Sequence, residues 1–117
     1  MVNTTPQKTP LFFFQSSSGK EPVREWLKAL DEPDRQAVGQ DLMRAQWRWP
    51  VGMPLCRAMG QGLWEIRTAL PSHRIARVLL CLHEGGLVAL HGFIKKTQKT
   101  PDDELALARK RQKELKS

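Results

Sequence analysis

The 117-residue sequence has no tyrosine, only two cysteines and three histidines, and little acid through its middle third. Without tyrosine, no phenol is available for proton exchange. Cys56 and Cys81 lie far apart and form no Cys-x-x-Cys pair, which excludes a disulfide framework. They read as small buried apolar residues of a reducing compartment. His73, His83 and His91 have neither the spacing nor the cysteine or carboxylate neighbours of a metal site, so no metal and no cofactor is expected. The longest apolar clusters, Leu11–Phe14 and Val78–Leu82, are far shorter than a membrane span. Met1–Pro10 is polar and lacks the apolar core of a signal peptide, so the expected location is the cytoplasm, away from membranes. Repeats and low-complexity tracts are absent too. A chain of this length supports one domain, residues 1–117, with residues 1–10 expected to be disordered.

What the sequence has in excess is positive charge, a formal +7. Residues 1–54 and 100–117 nearly balance their charges. The segment 55–99 instead holds Arg57, Arg67, Arg74, Arg77, Lys95, Lys96 and Lys99 against only Glu65 and Glu84, which gives five of the seven excess charges. A basic stretch of this kind points either to a polyanionic partner or to a merely basic surface.

Periodicity divides the chain. Leu11–Phe14 reads as a buried strand and Ser16–Lys20 as a loop. Pro22 suits the first position of a helix whose Val23, Trp26, Leu27 and Leu30 share one face. A second helix opens at Asp31-Glu32-Pro33, carries Val38, Leu42, Ala45 and Trp49 as its apolar stripe, and stops at Pro50. Together the two read as an αα-hairpin. Trp26, Trp47 and Trp49 are expected in the core rather than on a stacking platform. Gly52–Gly62 reads as irregular. Three strands follow, Leu63–Leu70, Arg74–His83 and Leu87–Ile94, joined by hairpin-like turns, so the sheet is expected to be antiparallel. A last helix begins near Thr100-Pro101-Asp102, with Thr100 placed to cap it. The fold class is α+β: two helices on one face of a twisted antiparallel sheet, and a C-terminal helix.

Two groups of residues invite chemistry. A three-residue loop at Pro71–His73 sets Arg67 directly opposite Arg77. Like charges so placed repel, unless an anion such as phosphate lies between them. Alternatively each arginine lies over an apolar face and Glu65 partners one of them. In the second group, His91-Gly92-Phe93-Ile94-Lys95-Lys96-Thr97-Gln98-Lys99, a strand runs into three lysines and then a helix N-terminus, a setting that attracts phosphate. His91 can exchange a proton near neutral pH, or it can be a structural histidine. Cleavage of RNA by its own 2′-hydroxyl needs a base, cations for the phosphorane and an acid, and no metal.

Leu63-Trp64-Glu65-Ile66-Arg67, Ala76-Arg77-Val78-Leu79 and the block from Leu90 to Pro101 ending Lys-Thr-Gln-Lys-Thr-Pro resemble the phage-derived HigB-like branch of the RelE/ParE toxin superfamily. The resemblance implies a RelE-like toxin of a type II toxin–antitoxin system that enters the ribosome and cuts mRNA without a metal. It implies a helix-turn-helix antitoxin as partner, with operator DNA reached only through that antitoxin. On this reading His91, Arg77 and Lys95 are the candidate catalytic residues. Arg67, Arg74, Lys96, Lys99 and Phe93 are the candidate RNA- and phosphate-binding ones. Relatives place a tyrosine near the C-terminal end. Here Phe93 can stack but cannot exchange a proton, so the burden falls on His91 or a lysine, or on positioning within the ribosome. The alternative is a superfamily member without nuclease activity, either a ParE-like gyrase inhibitor or a phage-derived RNA-binding protein.

Overall fold

The computed structural model describes residues 7–95 and 99–115. Its elements are β1 (Leu11–Phe13), α1 (Pro22–Ala29), α2 (Glu32–Arg48), β2 (Cys56–Gly60), β3 (Leu63–Ala69), β4 (Ile75–His83), β5 (Gly86–Lys95) and α3 (Asp102–Leu115). They form an α+β fold around one five-stranded sheet of order β1-β5-β4-β3-β2. The sheet is mixed rather than purely antiparallel, because β1 runs parallel to β5 while every other neighbour is antiparallel.

α1 starts with proline in its first turn and α2 does likewise; a proline costs no hydrogen bond there. The expected αα-hairpin is instead two consecutive helices that each pack chiefly on the sheet: α1 on β5 and β1, α2 on β3. Val23, Val38, Leu42 and Ala45 from these helices close over Ile66, Val78, Leu80, Leu87 and Ala89 of the strands. α3 covers the opposite face. There Ala108 meets Leu63, Leu79, Val88, Leu90 and Phe93, with Phe14 alongside. Each large aliphatic side chain withdrawn from water in these two layers contributes about 1.5–3 kcal/mol.

Four expectations need correcting. Leu11–Phe13 is an edge strand, with Phe12 57% exposed, because only its alternate residues face the core. Gly52–Gly62 contains β2. Its glycines and proline mask a strand whose register against β3 shifts between Ala58 and Gly60. Trp47 lies on the outer face of α2, 49% exposed, whereas Trp26 and Trp49 pack against the core. Met1–Pro6 lie outside the described residues, but Thr9 and Pro10 are tied down. Thr9 N–H donates to Gln46 O at 2.8 Å, and Pro10 O accepts from Leu87 N–H at 2.8 Å.

A β-bulge in β5 decides what the sheet presents on each side. Leu79 pairs with His91 while Leu80 pairs with Ala89, so Leu90 is the extra residue. A bulge reverses the alternation beyond it. Leu87 and Ala89 therefore point to α1 and α2, while Leu90, His91, Phe93 and Lys95 all belong to the α3 face. Gly92 consequently lies beneath Trp26, where an added Cβ would sit 2.4 Å from the indole ring.

Two predictions concern this framework. Gly92→Ala should destabilise the fold by about 1–3 kcal/mol through overpacking, and Trp26→Leu in the same chain should restore part of the loss in a urea titration. Asp34 of α2, buried, accepts from the Ser72 hydroxyl at 2.8 Å and from Arg74 at 3.1 Å. The Ser72 bond above all, reinforced by Arg74, holds its carboxyl below the ordinary value. A lowered carboxylate pKa stabilises the fold above the unfolded-state value, and that contribution is lost as pH falls through the folded-state value. Thermal unfolding of Asp34→Asn should accordingly depend less on pH below about pH 4 than that of the parent chain.

Candidate functional site

The α3 face collects most of the charge of the middle segment. The three-residue turn after β3 is present, with Leu70 N–H donating to Arg74 O at 2.9 Å. The resulting register sets Arg67 opposite Arg77 and Arg57 opposite Glu65. Directly opposed residues project to the same side. Phe93 continues the row beyond Arg77, and Lys95 lies opposite Ile75 on the same side.

The repulsion expected between the arginines is relieved from within the sheet. Arg77, buried, donates through its NH1 group to the carboxylate of Glu65, also buried. The other oxygen of Glu65 accepts from the hydroxyl of Thr100 at 2.6 Å. Thr100 thus does not cap α3. Its hydroxyl instead ties the chain entering α3 down onto β3.

The cations around this carboxylate outnumber it. Lys95 is 9% exposed. Its Nζ and the Nε of Arg77 are buried atoms without a hydrogen-bond partner among the described residues. Burial, and next the charge of Arg77, push the Lys95 ammonium below its ordinary value; Glu65 opposes the shift, and Arg67 and Arg57 add to it. A buried donor without an acceptor costs about 1–3 kcal/mol, more when charged. Both donors lie on the α3 side of neighbouring strands, so positive charge there exceeds the acceptors offered by the described residues.

His91 stands apart from this group. Its ring stacks on Phe93 with centroids 5.6 Å apart. Its Nε2 is 3.2 Å from Glu104 Oε1 without hydrogen-bond alignment, and its Nδ1 is 3.4 Å from Arg111 NH1. Arg111 itself donates to Leu90 O at 2.8 Å and lies over the Phe14 ring. The histidine is therefore held by α3. Four residue steps of strand separate it from Lys95, roughly 13 Å at the usual rise.

The remaining candidates are scattered. Phe93 is buried in the core under α3. Arg74 is exposed and serves the opposite side of the molecule, where it pairs with Asp34 of α2 at 3.1 Å. Lys99 is exposed and, with Arg57, Met59, Thr100, Asp102 and Leu105, lines an open cleft of about 380 Å³ between β2 and the start of α3. Lys96 lies outside the described residues. Glu104 and Arg111 are missed by sequence reasoning, since nothing local to α3 signals that it returns to His91. Arg57 is missed because its strand is.

Among the described residues, no group of three or more His, Cys, Asp or Glu side chains is placed to hold a metal ion, and no helix is long and apolar enough to cross a membrane.

Removing one partner of a buried ion pair leaves the other charge uncompensated, at about 3–5 kcal/mol, whereas replacing both is far cheaper. Glu65→Leu should therefore unfold at markedly lower urea than the parent, and Glu65→Leu combined with Arg77→Met should recover most of the difference. A double variant no more stable than the single one would mean that the pair does not act as a unit.

A family model described as Phage derived protein Gp49-like (DUF891) matches residues 25–113, from within α1 to the end region of α3. No curated protein matches the chain.

Proposed function

Since the chain belongs to the phage-derived Gp49-like family, RelE-like in the broad sense, we propose that it is a HigB-like toxin of a type II toxin–antitoxin pair that cuts mRNA on the ribosome. The observation that carries this reading is the pair of buried cationic donors, Arg77 Nε and Lys95 Nζ, that lack acceptors among the described residues. Arg67 lies next to them on β3. A backbone phosphate brings oxygens to those donors, and guanidinium groups suit two oxygens at once.

In the proposed reaction the 2′-oxygen attacks the adjacent phosphorus as its proton passes to Lys95 Nζ. Arg67 and Arg77 stabilise the charge that gathers on the non-bridging oxygens. The bond to the 5′-oxygen breaks, that oxygen takes a proton from solvent, and a 2′,3′-cyclic phosphate remains. Lys95 suits the base role because burial and Arg77 favour its neutral form, which a surface lysine reaches only at high pH. His91 is too far along β5 to share the same phosphorus, and its contacts with Glu104 and Arg111 fit a role in holding α3. The antitoxin partner follows from the family reading, and so does a cytoplasmic site of action next to ribosomes.

Lys95 supplies the test. Lys95→Met removes a charge that the fold must desolvate, so its melting temperature should equal or exceed that of the parent, yet induced expression should no longer arrest growth. Primer extension after induction of the parent chain should reveal new mRNA 5′ ends that vanish when translation is blocked. Uninterrupted translation with soluble protein accumulating would overturn the reading. Lys95→Arg separates base from clamp: it keeps the charge but cannot deprotonate, so cleavage should fall by about 10²-fold or more.

A further inference from the structure

The outer face of α2 carries residues that the fold of one chain does not explain. The helix packs on the sheet through Asp34, Val38, Leu42 and Ala45. On its other side Glu32, Gln36, Gly39, Met43 and Trp47 recur every three or four residues and form a second stripe, all of them exposed. Met43 is 50% exposed and Trp47 49%, although both are residue types that proteins ordinarily keep from water. They stand one turn apart and so are neighbours on the surface.

Gly39 is the sharper anomaly. A glycine inside a helix weakens it relative to alanine. Gly39 is not among the glycines with positive φ, and a Cβ built there would meet nothing within 4 Å. Neither its backbone nor its own chain's packing asks for a glycine. What a bare Cα in mid-helix allows is the close approach of a second helix.

The charge of this face points to the occupant. α2 holds three acids, Glu32, Asp34 and Asp41, against three bases, Arg35, Arg44 and Arg48, on a chain of net charge +7. A neutral helix has no particular attraction for RNA or another polyanion, and a second copy meets no net repulsion there. The exposed charges are also ordered, with Asp31 and Glu32 at one end and Arg44 and Arg48 at the other. Arg44 pairs with Asp41 at 2.9 Å, whereas Arg48 has no ion pair among the described residues. Two copies of α2 laid antiparallel bring each acidic end beside the other's basic end and oppose the helix dipoles. A parallel pair sets like ends together.

We infer that α2 is the interface of a two-fold homodimer, pairing antiparallel with α2 of a second copy and crossing it at Gly39. In a two-fold interface the same patch serves both copies. Gly39 lies near the middle of the helix, so Met43 and Trp47 of each copy lie along Gln36, Pro33 and Glu32 of the other. Because α2 and α3 cover opposite faces of the sheet, both basic α3 faces stay outside the interface.

Sedimentation equilibrium of the full chain, from low micromolar to millimolar concentration, tests this. The mass should rise from that of one chain to twice that value. Trp47→Lys should weaken the dimer by about tenfold or more, the scale of a tryptophan anchor. Gly39→Gln should weaken it likewise while raising the melting temperature of the dissociated chain, because glutamine is the better helix former and enters open space. A one-chain mass at every concentration would overturn the inference, as would a dimer that either variant leaves unchanged. So would a parent that stays monomeric and binds oligouridylate through Trp47, since that outcome gives the face to nucleic acid.

Discussion

Glu65 sits on β3, between β4 and β2 in the five-stranded sheet, almost without access to water, and two separate parts of the chain depend on its charge. Arg77 is buried because Glu65 receives one of its nitrogens, and the connection into α3 is held because Thr100 donates to the other oxygen. A buried pair of this kind gains little stability over an apolar pair of similar volume, because desolvating both ions offsets most of their attraction. What it gains is placement. One end of the Arg77 guanidinium is committed to the carboxylate while Nε has no partner among the described residues. Since the carboxylate cancels only one of the nearby positive charges, the surroundings of Lys95 stay positive.

The bulge in β5 brings the other half of that arrangement about. Without the extra residue at Leu90, strand alternation would send His91, Phe93 and Lys95 under α1 and α2 with Leu87 and Ala89. With it, the end of β5 turns its polar residues to the side where Glu65 and Arg77 lie, and Gly92 takes the place under Trp26 that a side chain would fill. The two helical layers are thus unequal in purpose. The α1–α2 side is an apolar layer sealed at one corner by Asp34, Ser72 and Arg74. The α3 side is half apolar core and half charged surface.

Much of this was legible in the sequence where one local rule decides. The helices are marked by their prolines and apolar spacing, and the β3–β4 register by the length of the Pro71–His73 turn, which is enough to place Arg67 against Arg77. The α+β class follows from those elements. What escaped notice needed non-local contacts. β2 is hidden because its strand character comes from pairing with β3 rather than from β-branched residues. The parallel pairing of β1 was invisible because a three-residue strand carries no orientation signal. Thr100 has the sequence position of a helix cap and is diverted by a carboxylate 35 residues away. His91 and Lys95 looked like members of one catalytic block. The extended strand between them, and the return of Glu104 and Arg111 on α3, divide that block in two.

The absence of tyrosine acquires a physical meaning from that division. A phenol can stack on a base and move a proton in one residue, so on the proposed nuclease reading the two tasks fall to different residues. On the proposed reading the proton falls to Lys95, whose ammonium burial and then Arg77 push below its ordinary value. Met59 and Leu105 line the open cleft that Thr100 borders. Phe93, opposite Arg77 in the sheet, is consumed by the core. Thr100 joins the two places, since a shift of its hydroxyl away from Glu65 would both release Arg77 and move the start of α3 that walls the cleft. The buried arginine and the wall of the cleft are therefore coupled through a single buried carboxylate.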